Sequence, residues 1–553
     1  AIAFEISSFH SETQIGEKKS VAKPLFLLNR MENNMKTNVF KTIFFTIVIL
    51  LTILAIYIIY KDNKNERIPT NSKKTDVKIN KEMNLGICNF DTINPLLTKN
   101  KDVQYVDKLV FNSLVNVNKN FEIENDLAQE ISKINDKTYI IKTKENMNWH
   151  DGTSFTTEDI VFTIEALKNK KTLYSKNVEN IIKTEIIDKS TIKIYLDEPV
   201  AFFKYMLNFP ILASHAYNKQ TLETITKVPI GTGNYKIIQI AENEIKLEKA
   251  NSEFQSKITD INIKIYKSIK EVYSKFSKKE IDLITTQNIY YEDYIGSMGF
   301  NIEISKGRKF DYLAINNQKK ELQNKEVRKA IYYAIDKKEI IYNIYNNKYM
   351  ASNFPLDYGC YLYQNNEEKD EYNPTQAKGT LTDAGWNYRN NIWRKGNSKL
   401  EFNLVVNSEN EERVRVAELI KEQLEKIGIK INIVKVNNNI YNNYLKNKNY
   451  DIILTGNIIP LYPDLNSYLG ESNLSNFNNK EVSEILKQID SIEDKELLQQ
   501  KYNRIYEIYK EEMPFISLYN NVNFILYSRE LKGDLSSNWY DVFYNIENWY
   551  KIK

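Results

Sequence analysis

The chain has 553 residues, room for three or four domains at about 150 residues each. Its 76 Lys and Arg against 72 Asp and Glu leave a net charge of +4, which excludes the strong positive field of a nucleic-acid binder. With 42% hydrophobic and 27% charged residues, large-scale disorder is excluded as well.

Residues 1–41 read as an N-terminal leader that starts on Ala and carries Met31 and Met35 shortly before an apolar run. That run, Thr42 to Tyr60, has no charge and no polar stripe, and at about 1.5 Å per residue it reaches nearly 30 Å, the thickness of a bilayer core. It ends Tyr60-Lys61-Asp62-Asn63, without the small residues that a cleavage site needs, so it predicts an uncleaved transmembrane signal anchor. Residues 61–76 are polar and read as a tether. Four Lys or Arg stand in residues 22–41 and six in 61–80, a count that leans toward a cytoplasmic C-terminal part, although long domains cross membranes regardless of such charge.

Beyond the tether, strands and amphipathic helices alternate. Thr156 caps a helix with Ile160, Ile164 and Leu167 on its apolar face. Ser190-Thr191-Ile192-Lys193 has the S-x-x-K spacing but runs into a strand-like alternation, and Gly231-Thr232-Gly233 precedes a strand rather than a helix, so neither reads as a catalytic or dinucleotide loop. Glu280–Ile284 reads as a short strand, Val327 to Ala334 as a helix, and Asp336–Glu339 as the capped start of another. Val414, Ala417, Ile420, Leu424 and Ile427 form a helical stripe stopped by Gly428, followed by a strand through Ile429, Ile431 and Ile433 and a second strand at Tyr450–Leu454. Helices alternating with strands imply α/β lobes. Cys88 and Cys360 are too few for a disulfide framework or thiolate cluster, and His10, His150 and His215 are too scattered for a metal site, so no cofactor is expected. The 38 Tyr read mainly as core and strand residues.

Several segments in order resemble bacterial extracellular solute-binding protein family 5, the oligopeptide-, dipeptide- and nickel-binding receptors of ABC importers. They are Phe90-Asp-Thr-Ile-Asn-Pro95, the run Trp149-His-Asp-Gly-Thr-Ser-Phe-Thr-Thr-Glu-Asp-Ile-Val-Phe162, Pro229 to Tyr235, Val327 to Asp336, Ala384-Gly-Trp386 and Met513 to Tyr519. The resemblance implies a two-lobed periplasmic-binding-protein-like α/β clam shell (type II, cluster C) with an extra subdomain. It would divide as lobe I at 77–117, 229–318 and 521–553, the subdomain at 118–228 and lobe II at 319–520. Phe90 and Asp91 are expected on one wall of the interlobe cleft, Gly456, Asn457 and Ile458 on the other, with Tyr358 in an aromatic stretch nearby. Many peptide-binding members place an aspartate for the peptide's free amine where this chain has Leu461; Asp464, three residues on, is either a substitute or a turn acid.

The expected partners are a peptide or other small solute, ABC permease and ATPase subunits, and the membrane through helix 42–60, with no nucleic acid, for a monomer whose large domain lies on the extracytoplasmic face of a bacterial, Gram-positive cell membrane. A tethered sensor of the same fold is the first alternative. A hydrolase built on His150 and Asp151 is the second, against which stands a turn at Asp151-Gly152 leading into a capped helix.

Overall fold

The computed structural model describes residues 78–356, 360–363 and 372–553. The leader, the apolar run 42–60, the tether up to residue 76 and Tyr358 lie outside the described residues. Among the described residues no helix is long and apolar enough to cross a membrane.

In chain order, strand β1 (Glu82–Cys88) leads into helix α1 (Lys101–Val110). A separate antiparallel sheet follows, made of β2 (Ala128–Asn135), β3 (Thr138–Thr143), β4 (Ile181–Ile186) and β5 (Thr191–Leu196) in the order β2-β3-β5-β4. Helix α2 (Thr157–Asn169) shares its core, with Ile160, Ile164 and Leu167 fully buried. The chain then makes β6 (Tyr235–Ala241), β7 (Glu244–Lys249), β8 (Asp260–Tyr266), α3 (Ile269–Ser277), β9 (Leu283–Thr286) and the long β10 (Phe300–Ile315). Helices α4 (Lys325–Ala334) and α5 (Lys337–Tyr345) precede β11 (Glu401–Asn407), α6 (Glu411–Ile427), β12 (Lys430–Val436), β13 (Ile452–Ile458), α7 (Lys495–Glu512) and β14 (Phe515–Ser528).

The local signals act as their chemistry requires. Asp159 reaches back to the Thr156 amide at 3.0 Å, and the Asp336 carboxylate accepts the Glu339 amide at 2.9 Å, so each helix start satisfies amides that have no partner within the helix. Gly428 takes φ +93° to end α6, a conformation that disfavours any side chain, and a Cβ there would also lie 2.3 Å from Tyr388. Buried Arg328 donates to the carbonyls of Leu322, Gln323, Glu512 and Met513, placing a cation on the C-terminal end of α7. The strand expected at Tyr450–Leu454 begins two residues later and runs on to Ile458, because its ladder with β10 extends from Ile452↔Ile315 to Ile458↔Lys309.

The main sheet has the strand order β12-β11-β13-β10-β14-β9-β1-β8-β7-β6. Among the described residues, β10 and β14 are the strands that run through both of its halves. Phe300–Lys306 of β10 pair with Val522–Ser528 of β14 beside β9, whereas Phe310–Ala314 pair with Phe515–Asn520 beside β13. The ladder breaks between these stretches, at Gly307–Lys309 on β10 and Asn521 on β14. Gly307 is required there because a Cβ would sit 2.2 Å from the Asn521 side chain, which accepts the Lys309 amide at 2.9 Å. Every residue of β14 is buried, as expected for a central strand covered on both faces. The apolar cores are likewise separate: one under β10–β13 and helices α4 to α7, one in the four-stranded sheet region, and two on the faces of the half built on β1, β8 and β9.

Candidate ligand site

Residues alternate across β10, so Arg308 projects to one face of the crossing strands and Lys309 and Asp311 to the other. One cavity lies against the face of Lys309 and Asp311, and a second lies beyond Trp539, the ring that Arg308 meets. The larger, about 640 Å³, lies between the loop after β9 and the end of β13, and Gly456, Asn457 and Ile458 line it. Its centre is an ion pair: Arg413 of α6 donates from Nε to Asp311 Oδ2 at 2.8 Å and from Nη2 to Oδ1 at 2.7 Å. The Tyr519 hydroxyl is 3.4 Å from the same carboxylate and 3.0 Å from the Tyr345 hydroxyl, and Tyr345 stacks on Tyr349 at 4.0 Å. Gly456 lacks a side chain because this pair occupies the space: a Cβ would lie 2.1 Å from Asp311 Oδ1 and 2.3 Å from Arg413 Nη2. Ile458 is 72% exposed at the rim.

The second cavity, about 260 Å³, is walled by three parts of the molecule. Helix α1 and residues Trp539–Asp541 supply one wall, Asp126, Tyr174 and Asn208 from the four-stranded sheet region a second, and Leu461, just past β13, the third. Arg308 holds these parts together at the crossing. It is 6% exposed, donates from Nε to the Ile459 carbonyl at 2.9 Å, and places its guanidinium 4.9 Å from the Trp539 ring and 5.4 Å from Phe121. Three carboxylates reach this cavity. Asp126 accepts from Asn112, Ser113 and Asn116, and Asp541 accepts the Phe543 amide. Asp107, 3% exposed, has no hydrogen-bond partner on either side-chain oxygen. Burial raises the pKa of all three, and most strongly that of Asp107, to which the Asp91 charge adds.

The other residues singled out from sequence are engaged elsewhere. Phe90 is half-buried against the core of β1 and α1. The Asp91 carboxylate accepts from the Thr92 amide, the Thr98 hydroxyl and the Lys99 amide at 2.6–2.8 Å, a local loop staple; burial works the other way, yet these bonds hold its pKa below the ordinary value. Neither lines the two cavities. Asp464 accepts from the Asn466 amide and side chain, both at 2.8 Å, which makes it the turn acid ahead of a short helix. His150 does not pair with Asp151. Its Nδ1 accepts the Gly231 amide at 3.3 Å, so Nε2 carries the proton and donates to the Gly233 carbonyl at 2.9 Å. Asp151 instead meets His215 at 2.8 Å, and Trp149 donates to Asp159 at 3.2 Å. The Trp149–Asp159 run is therefore a packing hub that pins the loop at 231–233. Sequence reading missed Asp107, Arg308, Asp311 and Arg413. The one available signal was Asp107 itself, an acid between Val103, Val106, Leu109 and Val110 on the buried side of α1.

Two sheet halves joined by shared strands, with a third region closing on a polar cavity, define a periplasmic-type solute-binding protein. The chain belongs to the bacterial extracellular solute-binding proteins, family 5, whose "family 5 Middle" sequence model matches residues 122–480. It is 26% identical over 482 residues to the oligopeptide-binding protein AppA of Bacillus subtilis, covering 81% of this chain and 87% of that one. It is 25% identical over 483 residues to heme-binding protein A of Haemophilus influenzae, covering 79% and 86%. In fold it is similar to the unliganded open form of the periplasmic murein tripeptide-binding protein MppA, with a TM-score of 0.75 at 19% identity over 86% of this chain and 98% of that one.

Proposed function

We propose that this protein is the extracytoplasmic solute receptor of an ABC importer, that it binds short peptides in the cavity at Leu461, and that it is a binding protein rather than an enzyme. The observation that carries this reading is the cavity's position: α1, the four-stranded region and the loop after β13 belong to three separate cores, and a solute between them touches all three. Such a solute stabilises the arrangement in which the parts meet, with the break at Gly307–Lys309 and Asn521 acting as the hinge. A volume of about 260 Å³ lies just below the ~300–1,000 Å³ of ordinary small-ligand sites, which favours two or three residues over a long peptide in this arrangement. The cavity at Gly456 is the weaker candidate, because its central charges, Asp311 and Arg413, already pair with each other.

The apolar run 42–60 would anchor the receptor as a single-pass protein with residues 77–553 outside, and the lobes divide at the strand break. Three measurements test the proposal. A thermal-shift screen of the full chain against di- and tripeptides should find ligands that raise its melting temperature, since binding the folded state alone stabilises it. Deleting the gene should abolish uptake of the same peptides; binding without any change in uptake would favour the sensor role. Protease treatment of intact cells should digest residues 77–553, and full protection would refute the orientation.

A further inference from the structure

We infer that Asp107 is the anchor for the ligand's free amino group, taking over from helix α1 the task for which Leu461 on the facing wall has no charge. This rests on the peptide-receptor reading and specifies its chemistry. Asp107 and Leu461 line the same cavity. Of the three carboxylates there, Asp126 is matched by three donors and Asp541 accepts a backbone amide, whereas both Asp107 oxygens are buried and unpartnered. A buried carboxylate without a donor is costly, and a native site retains one where something that arrives later supplies the partner.

The protein's own cations do not fill that role. Lys101 and Lys108 share α1 with Asp107 and line the cavity, but the Lys101 ammonium lies 4.9 Å from the Tyr105 ring and 5.6 Å from Trp539, and that of Lys108 lies 6.0 Å from Tyr540. Arg308 is directed to the Ile459 carbonyl and the Trp539 and Phe121 rings. A primary ammonium has three donors and one charge, enough to satisfy both unmatched oxygens. The ligand class is therefore a short peptide or related solute with an unblocked amine, in preference to its acylated or cyclic counterparts.

The test uses the full chain, a pool of di- and tripeptides with free N-termini, and the same pool N-acetylated, with retention after equilibrium dialysis read by mass spectrometry. The wild type is expected to retain the free-amine pool about tenfold or more over the acetylated pool, the scale of one charge-assisted hydrogen bond. Asp107→Asn should lose that preference while circular dichroism and the melting temperature report an intact fold; if Asn at 107 does not fold, Asp107→Leu fills the same space. Adding Leu461→Asp to the Asp107 variant should restore the preference from the opposite wall, and no restoration would assign the loss to packing and overturn the anchor. Unchanged preference in Asp107→Asn, or equal retention of both pools by the wild type, would also overturn it while leaving the peptide receptor standing. Retention of neither pool would remove the receptor reading itself, and the anchor with it.

Discussion

The two cavities beside the crossing strands differ in how their buried charges are matched. On the face of Lys309 and Asp311, Arg413 grips Asp311 in a bidentate pair, Tyr519 adds its hydroxyl, and Gly456 leaves room for both. On the face of Arg308, the Asp107 carboxylate has no partner. A satisfied network fixes structure, whereas a buried group left unmatched calls for an explanation, which the reading proposed above supplies as a ligand. On the reading proposed above, the smaller cavity is the binding one and the larger the structural one, an order that volume alone would reverse.

Substitutions of opposite sign should separate the two. The largest effect is expected from Arg413→Leu, which leaves Asp311 mostly buried and unpaired: a loss of about 3 kcal/mol by urea unfolding, within the range for breaking a buried pair. Gly456→Ala comes next. It forces its methyl group against the same pair and should lower stability by about 1–3 kcal/mol while leaving peptide retention in the other cavity unchanged. Asp107→Leu should act in the other direction, raising the ligand-free melting temperature through a gain of about 1–2 kcal/mol at neutral pH. A loss comparable to that of Arg413→Leu would erase the distinction between the faces.

This last gain has a pH signature. Burial first, then the Asp91 charge, raises the Asp107 pKa in the folded chain above its ordinary 3.8. The folded state then binds more protons than the unfolded one, so the stability linked to Asp107 is complete below 3.8 and is lost as the pH rises through the folded value. The advantage of Asp107→Leu should therefore widen from about pH 4 toward neutrality. Asp91, Tyr174 and Tyr217 interact electrostatically with this carboxylate, and Asp126, Asp541, Lys101 and Lys108 line the same cavity; all are present in both proteins, so the difference between the two curves reports residue 107 and its effect on these neighbours.

The smallest effect is expected at His150, away from both faces. Burial lowers its pKa below the ordinary 6.5, against the raising effect of the Gly233 carbonyl, so the folded state favours the neutral ring. Stability should be complete above 6.5 and fall as acid protonates the unfolded chain in preference. His150→Asn should flatten that part of the melting curve, and an unchanged pH profile would show that the ring is not held neutral.

Much of the fold was legible because its signals are local. Thr156 with Asp159, Asp336 with Glu339 and Gly428 after Ile427 are caps set by neighbours within three or four residues; Thr156 and Gly428 act as read, and Asp336 caps the Glu339 amide while the Glu339 side chain meets Gln423 rather than closing a capping box. The site was less legible. Gly456, Asn457 and Ile458 line the cavity built round the Asp311–Arg413 pair, while Phe90 packs on a core and Asp91 and Asp464 accept hydrogen bonds within local turns. Arg413 meets Asp311 across 102 residues and Arg308 reaches Ile459 across 151, separations that carry no periodic signal. The Tyr excess is explained in part by buried clusters such as Tyr345, Tyr349 and Tyr519.

By itself the sequence determined the class of elements, their caps, the family signature and the absence of charge at Leu461, since each depends on residue type and short spacing. Only the tertiary structure decided which carboxylates are matched. Pairing depends on what long-range packing brings within about 3 Å, and on α1 that packing buried Asp107 without bringing either of its oxygens a partner.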